Sequence, residues 1–506
     1  MPVRVGEHLD IADVVAVARG ERVEFPPAAA ERMRAARAVV DEKVASGETV
    51  YGVTTGIGSL ATVRIRPEQA AQLQFDIVRS HATAVGPPLP REEARAMLLL
   101  RAHVLALGYS GVRPLIVERM VEMLNRDLIP AVPQQGSLGA SGDLAPLAHL
   151  ALPLLGLGEI LAPDGPAPSA GLMGGLEPIG LEPKEGLALV NGTQGMLAIG
   201  TLALSRAEGL SRAADVAAAM SVEALLGTDR AFDERLQRLR PHPGQAASAA
   251  NLRRLMEGSE IAASHRESGH LVQDAYSIRC APQVHGATRD IAAFVRQVLV
   301  REIASVSDNP VVLPESGEVL SGGNFHGQPV ALALDALAAA VVPTAGISER
   351  RLYRLLDPAL SNGLPPFLVQ ESGLYSGYML VQYTAASLVS ESKTLAHPAS
   401  IDSITSSAGQ EDHVSMGMTA ARHARECVAN AEAVVALEAL AAAQALELRA
   451  PLTPGRGSRG ALAAIREVVD PLDSDREVRL DTAAAIDLVR SGRLVEAVEA
   501  EVGELG

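Results

Sequence analysis

The chain has 506 residues, 48% of them hydrophobic and 21% charged, which is ample material for a buried core and lies outside the range of natively unfolded chains. A net charge of −16 with only 3% aromatic residues argues against a nucleic-acid partner, which demands phosphate-neutralising cations and stacking platforms. Two cysteines, Cys280 and Cys427, are too few for a disulfide framework, and neither a Cys/His zinc spacing nor an HExxH pattern is present. This usage suits a reducing, cytoplasmic compartment and gives no metal site.

Along the chain, residues 1–25 carry scattered charges and no apolar segment, so no secretory leader is expected. Strand signals are scarce, and Ala and Leu, both helix formers, dominate. A Gly/Thr-rich loop at 51–59 is followed by a helix at 92–108. A second Gly-rich loop lies at 136–142, then a Pro/Gly-rich loop with a short hairpin at 163–183. A turn at 191–195 opens a helix at 196–227, and another helix covers 286–306. A loop at 321–327 precedes a helix at 330–342, and a loop at 406–417 precedes the clearest helix, 418–450. That last segment contains no Pro or Gly, is stopped by Pro451 and would span about 50 Å. The uncharged stretches 186–205 and 372–390 are interrupted by Gly, Gln, Ser or Thr and read as buried segments rather than membrane spans. No fixed-period repeat is present. The expectation is a mainly α protein, a large elongated helical bundle with irregular loops that converge on a site. Residues 1–107 form its N-terminal region and residues 108–506 its helical core.

The most unusual segment is 135–143, Gln-Gly-Ser-Leu-Gly-Ala-Ser-Gly-Asp. No Lys follows in Walker position and no Val/Ile strand precedes it, so neither a P-loop nor a dinucleotide fingerprint fits. A tight turn with an N-cap at Ser141 or Asp143 is one reading. Backbone chemistry offers another. In Ala140-Ser141-Gly142 the Gly142 nitrogen can attack the Ala140 carbonyl carbon and close a five-membered ring through Ser141. Loss of two waters, one carrying the Ser141 hydroxyl, leaves a 4-methylidene-imidazol-5-one, an electrophile that no ordinary side chain supplies. Glycine suits the attacking position because it lacks a Cβ.

The run 136–149, Gly-Ser-Leu-Gly-Ala-Ser-Gly-Asp-Leu-Ala-Pro-Leu-Ala-His, resembles the signature of the aromatic amino acid ammonia-lyases and aminomutases, and the resemblance extends from about Tyr51 to Ala450. It implies a fumarase/aspartase-like helical architecture and a homotetramer with sites built from three subunits. It also implies that the imidazolone forms autocatalytically from Ala140, Ser141 and Gly142, aided by Asp143, with no external cofactor.

The other loops take roles from the same resemblance. Tyr51, in Tyr-Gly-Val-Thr-Thr-Gly, matches the general base on a mobile lid; a phenol ordinarily keeps its proton to about pH 10, so such a base needs activation by its surroundings. His81 matches a position that contacts the substrate ring, where Ser-His disfavours phenylalanine. Asn191 falls beside the electrophile and the substrate carboxylate. Gln273, Tyr276 and Arg279 lie close together in sequence, and Arg279 suits a bidentate grip on the α-carboxylate. Phe325 falls near the imidazolone, where it would desolvate the site and, with Asp143, help ring formation rather than turnover. Glu411 lies in Gln-Glu-Asp-His, 410–413, a run resembling the members that act on histidine, whereas those acting on tyrosine or phenylalanine resemble Asn-Gln-Asp there. By itself an acidic pair before a long helix also reads as a cap. The expected activity is elimination of ammonia from L-histidine to give trans-urocanate, the first step of histidine degradation. The alternative is a lyase or 2,3-aminomutase acting on tyrosine. The expected partner is a small amino acid, with no nucleic acid and no membrane.

Overall fold

The computed structural model describes residues 2–267 and 272–506. Helix dominates, and among the described residues the strands form two-stranded sheets only. The longest helices are Gln194–Ala224, Ala281–Ile303, Gln328–Leu356 and Gly417–Glu447. The sequence-based bounds shift in two informative places. The helix expected at 330–342 runs on through Pro343 to Leu356. Proline removes the backbone donor that would reach the Ala339 carbonyl and crowds the preceding turn, yet the helix continues through it; the adjacent Ala340 carbonyl takes a hydrogen bond from the Thr288 hydroxyl at 2.7 Å. The helix expected at 286–306 begins five residues earlier, at Ala281. Gly286 sits inside it, where a Cβ would come within 2.3 Å of the Gln245 backbone, so glycine here permits close packing rather than marking an end. Gln328–Leu356 is long and apolar enough to cross a membrane, but 56% of its apolar stretch is buried inside the protein, as in a core helix.

The chain divides into two compact units. The first comprises Met1–Ala203, Arg296–Asp335 and Pro398–Arg422. Its central helix, Arg91–Ala106, is buried from Glu93 onward and packs against Ile11–Ala18 and Pro114–Asn125. A helix buried all round belongs to a core. Proline at the first position starts Pro27–Ser46, Pro67–His81 and Pro114–Asn125, where its missing N–H costs nothing.

Three helices of this unit, Pro67–His81, Leu144–Ala151 and Glu185–Val190, pack on one another. Their ends carry the chemistry. His81 closes the first, Asp143 precedes the second and Asn191 follows the third. Strand Val85–Pro88 pairs antiparallel with Pro133–Gln135, which ties the chain after His81 to the chain before Gly136. The hairpin Val311–Leu313/Glu318–Leu320 leads into the loop holding Phe325. A further hairpin, Glu159–Ala162 with Gly165–Pro168, starts slightly before the Pro/Gly-rich segment in which one was expected.

The second unit comprises Leu204–Val295, Ala336–His397 and His423–Gly506. Its Ala/Leu helices are cross-linked by buried charge. Glu438 accepts the guanidinium of Arg351 and the hydroxyls of Ser221 and Ser348, the latter two at 2.6 Å. Asp215 likewise gathers His285, Arg289, Ser248 and Asn251, and these partners hold its carboxyl down at about 2 against the effect of burial.

Candidate active site

The first unit encloses a cavity of about 660 Å³ lined by Tyr51, His81, Ala140, Ser141, Asn191, Phe325 and Glu411. Seven of the expected site residues therefore meet around one space of a size suited to a small molecule. A smaller hollow of about 240 Å³ shares His81, Ala140 and Glu411 and adds Ser80, Ser137 and Gly142.

The tripeptide 140–142 is held by its backbone. Gly142 has φ +73°, and a Cβ there would lie 2.0 Å from the Gly192 carbonyl oxygen, so only glycine fits. The Asp143 N–H donates to that same oxygen at 2.7 Å, and the Gly192 N–H donates to the Ser141 carbonyl at 3.3 Å. The Asp143 carboxylate is wholly buried and accepts the Ser137 hydroxyl and the Met196 N–H, both at 2.8 Å. Burial pushes this carboxyl up to about 6 despite those hydrogen bonds.

Asn191 donates its Nδ2 to the Asn309 carbonyl at 3.0 Å, while its Oδ1 is buried without a hydrogen-bond partner. The atom left for a ligand is thus an acceptor, which fits an N–H. To meet a carboxylate, the amide must turn over and give up Asn309.

His81 Nδ1 lies 2.7 Å from the Ile77 carbonyl, which can only accept, so the ring donates from Nδ1 and leaves Nε2 for other partners. The Tyr51 oxygen accepts the Gly58 N–H at 2.9 Å, which fixes the phenol within its own loop. Glu411 accepts the Ser406 hydroxyl at 3.0 Å. The long helix begins at Gly417, so Glu411 stands outside its first turn, and the cap reading does not describe this geometry.

Gln273, Tyr276 and Arg279 do not line this cavity. They belong to the second unit, where Tyr276 is exposed and the Arg279 guanidinium lies over its ring, 4.7 Å from the centroid. Arg279 Nε is buried and has no hydrogen-bond partner.

Sequence reasoning gave no role to several residues that the structure brings to the cavity. His326 and His413 both line it, with rings stacked 5.8 Å apart, and Asn309 lines it through the contact with Asn191. His413 stands in the run 410–413 and His326 in the loop 321–327, whereas Asn309 lies in neither. Behind the cavity, Lys184 pairs with Asp308 at 2.7 Å, both fully buried. Arg101, also fully buried, donates to the carbonyls of Ala188 and Asn191 and to Gln194.

Comparison with known proteins fits this architecture. The family model described as aromatic amino acid lyase matches residues 9–467. A histidine ammonia-lyase of Anaeromyxobacter sp. (strain K) is 55% identical over 500 residues, covering 97% of this chain and 98% of that protein. The crystal structure of histidine ammonia-lyase from Trypanosoma cruzi superposes with a TM-score of 0.92 at 42% identity, covering 100% of this chain and 96% of that one. A tyrosine aminomutase from Streptomyces globisporus superposes with a TM-score of 0.95 at 37% identity, each chain fully covered. The chain belongs to the aromatic amino acid lyase family. It is a carbon–nitrogen lyase acting on an amino acid. The two solved structures share this backbone and differ in the reaction and substrate their names carry, so the side chains in the cavity must set the choice.

Proposed function

We propose that this enzyme eliminates ammonia from L-histidine to give trans-urocanate. The observation that carries the reading is the presence of Glu411 in the same cavity as Tyr51 and Ser141. A carboxylate gains a charge-assisted bond from an imidazole N–H and gains little from a phenyl ring.

In the reaction the Cβ–H and Cα–N bonds break, a Cα=Cβ double bond forms, and the nitrogen leaves as ammonia. Tyr51 takes the Cβ proton. Glu411 accepts an imidazole N–H, and His81 meets the ring through Nε2. Asn191 Oδ1, buried without a partner, accepts an N–H of the substrate amine. Phe325 helps keep water from the reacting carbons.

The tripeptide fits the imidazolone that the family signature implies. Gly142 has no room for a side chain, Ser141 opens on the cavity, and Asp143 is buried directly behind. When formed from Ala140, Ser141 and Gly142, this group supplies an electrophilic carbon that makes the amine a better leaving group.

The proposed assembly is a homotetramer in the cytoplasm. There a neighbouring subunit supplies Arg279 to grip the carboxylate, with Gln273 and Tyr276 lining the site beside it.

The deciding experiment offers histidine and tyrosine separately to purified protein and follows urocanate and coumarate. Urocanate alone is expected. Coumarate from tyrosine with little urocanate would move the enzyme to the tyrosine-specific members.

A further inference from the structure

Arg101 lies in the middle of the buried helix Arg91–Ala106 and is itself fully buried. Its three acceptors are all neutral. Nη1 donates to the Asn191 carbonyl and to Gln194 Oε1, each at 2.7 Å, and Nη2 donates to the Ala188 carbonyl. A buried cation is costly to desolvate, so its position asks for a reason beyond packing.

The acceptors supply that reason. Ala188 and Asn191 end the helix Glu185–Val190, and Gln194 begins the helix Gln194–Ala224. The guanidinium therefore clamps both sides of the turn 191–193. Gly192 lies in that turn, and a Cβ on it would sit 2.6 Å from Arg101 Nη1. The Gly192 carbonyl in turn receives the Asp143 N–H and presses on Gly142, where a Cβ would be only 2.0 Å away. Arg101, Gly192 and Gly142 are thus in successive contact.

We propose that Arg101 is a positioning residue for cofactor formation: it makes the turn 191–193 a fixed wall that holds Gly142 where its nitrogen can reach the Ala140 carbonyl carbon. The inference rests on the reading that this tripeptide cyclises. A bond forms between Gly142 N and Ala140 C. The Ala140 oxygen leaves as water with the Gly142 and Ser141 amide protons, and the Ser141 hydroxyl leaves as a second water with the Ser141 Cα proton. No oxidant or reductant is needed. Ring closure depends steeply on approach distance, and a misplacement of about 1 Å can cost on the order of 10²-fold.

The test follows freshly synthesised protein by intact mass, counting chains that have lost two waters, with melting temperature measured in parallel. Arg101→Lys keeps the charge but loses the planar fork that spans both helix ends. It should dehydrate on the order of 10²-fold more slowly than wild type while folded. Arg351→Lys is the control, because it weakens a buried ion pair in the second unit, remote in sequence from the tripeptide. It should melt earlier and dehydrate at the wild-type rate. Should Arg101→Lys fail to fold, Gln194→Met decides, since it removes one acceptor and leaves the guanidinium; slower dehydration is again expected. A wild-type rate in a folded Arg101 variant, or in Gln194→Met where that variant decides, overturns the proposal. Equal slowing in Arg351→Lys overturns it too, since the effect is then general destabilisation. A wild type that loses no water sinks the cofactor reading and this proposal together, and is recognisable from the wild-type mass alone.

Discussion

The Ser406 hydroxyl donates to Glu411 Oε2 at 3.0 Å, and the two residues also exchange backbone hydrogen bonds, Ser406 N–H to the Glu411 carbonyl at 2.8 Å and the reverse at 3.3 Å. The carboxylate is therefore anchored by one oxygen at the rim of the cavity. Glu411→Gln keeps the shape and removes the charge. A bond to a charged group is worth about 1 kcal/mol more than a neutral one, so histidine turnover should fall roughly fivefold. The melting temperature should stay near wild type, because Glu411 lies outside the first turn of the long helix. Turnover and melting measured on the same preparation check both halves. Intact turnover with a lowered melting point would reduce Glu411 to a structural residue.

Most of the cavity was legible in the sequence because its loops, dense in residues with special backbone or side-chain chemistry, carry the family resemblance, and it is that resemblance which gave Tyr51, His81, Asn191, Phe325 and Glu411 their roles. Tyr51 among Gly and Thr, Ser141 between Ala and Gly, and Glu411 in an acidic run all stand out from an Ala/Leu background. Arg101 did not, because Leu98-Leu99-Leu100-Arg101-Ala102 reads as a helix with one polar position. Only the fold reveals that the Arg101 position faces two helix ends. Asn309 was silent for a related reason: its importance lies in a carbonyl that accepts from Asn191 more than a hundred positions earlier. Helix bounds failed where tertiary contacts outweighed local rules, at Pro343 and Gly286. Arg279 took its role from the family resemblance alone, and it is not among the residues that line the cavity.

Tyr51→Phe removes a single oxygen and keeps the ring. General bases contribute about 10²–10⁴-fold, so turnover should drop by that order. The Gly58 N–H loses its acceptor but stays partly solvated, which limits the effect on folding. Intact mass should still show the loss of two waters. Turnover close to wild type would pass the role of base to another group.

Asp143 should leave a pH signature in stability. Burial raises its carboxyl from 3.8 to about 6, so between those values the folded state binds a proton that the unfolded state releases. Its contribution to stability is therefore full below about pH 4 and is lost as pH rises through about 6, a swing on the order of 3 kcal/mol. Asp143→Asn cannot titrate. Relative to this variant, wild type should lose melting temperature as pH rises from 4 to 7. A difference that is flat with pH, or that runs the other way, would mean the carboxylate is ionised throughout and held by Ser137 and Met196.

The proposed sharing of the site between subunits can be read from mixed tetramers. Tyr51→Phe removes the base, and Arg279→Lys loosens the carboxylate grip, where poor placement costs on the order of 10²-fold. If Tyr51 and Arg279 of one site come from different chains, co-expressing the two variants in equal amounts creates sites with both groups intact. With random assembly about one site in four is of this kind, so activity should recover to about a quarter of wild type. If both groups come from the same chain, every site keeps one defect and the mixture can only average the two variants. Titrating the expression ratio adds a second criterion, because recovery should peak at equal amounts. A mixture no more active than the mean of its parents would place Arg279 and Tyr51 in one subunit's site and remove the proposed role of the neighbouring chain.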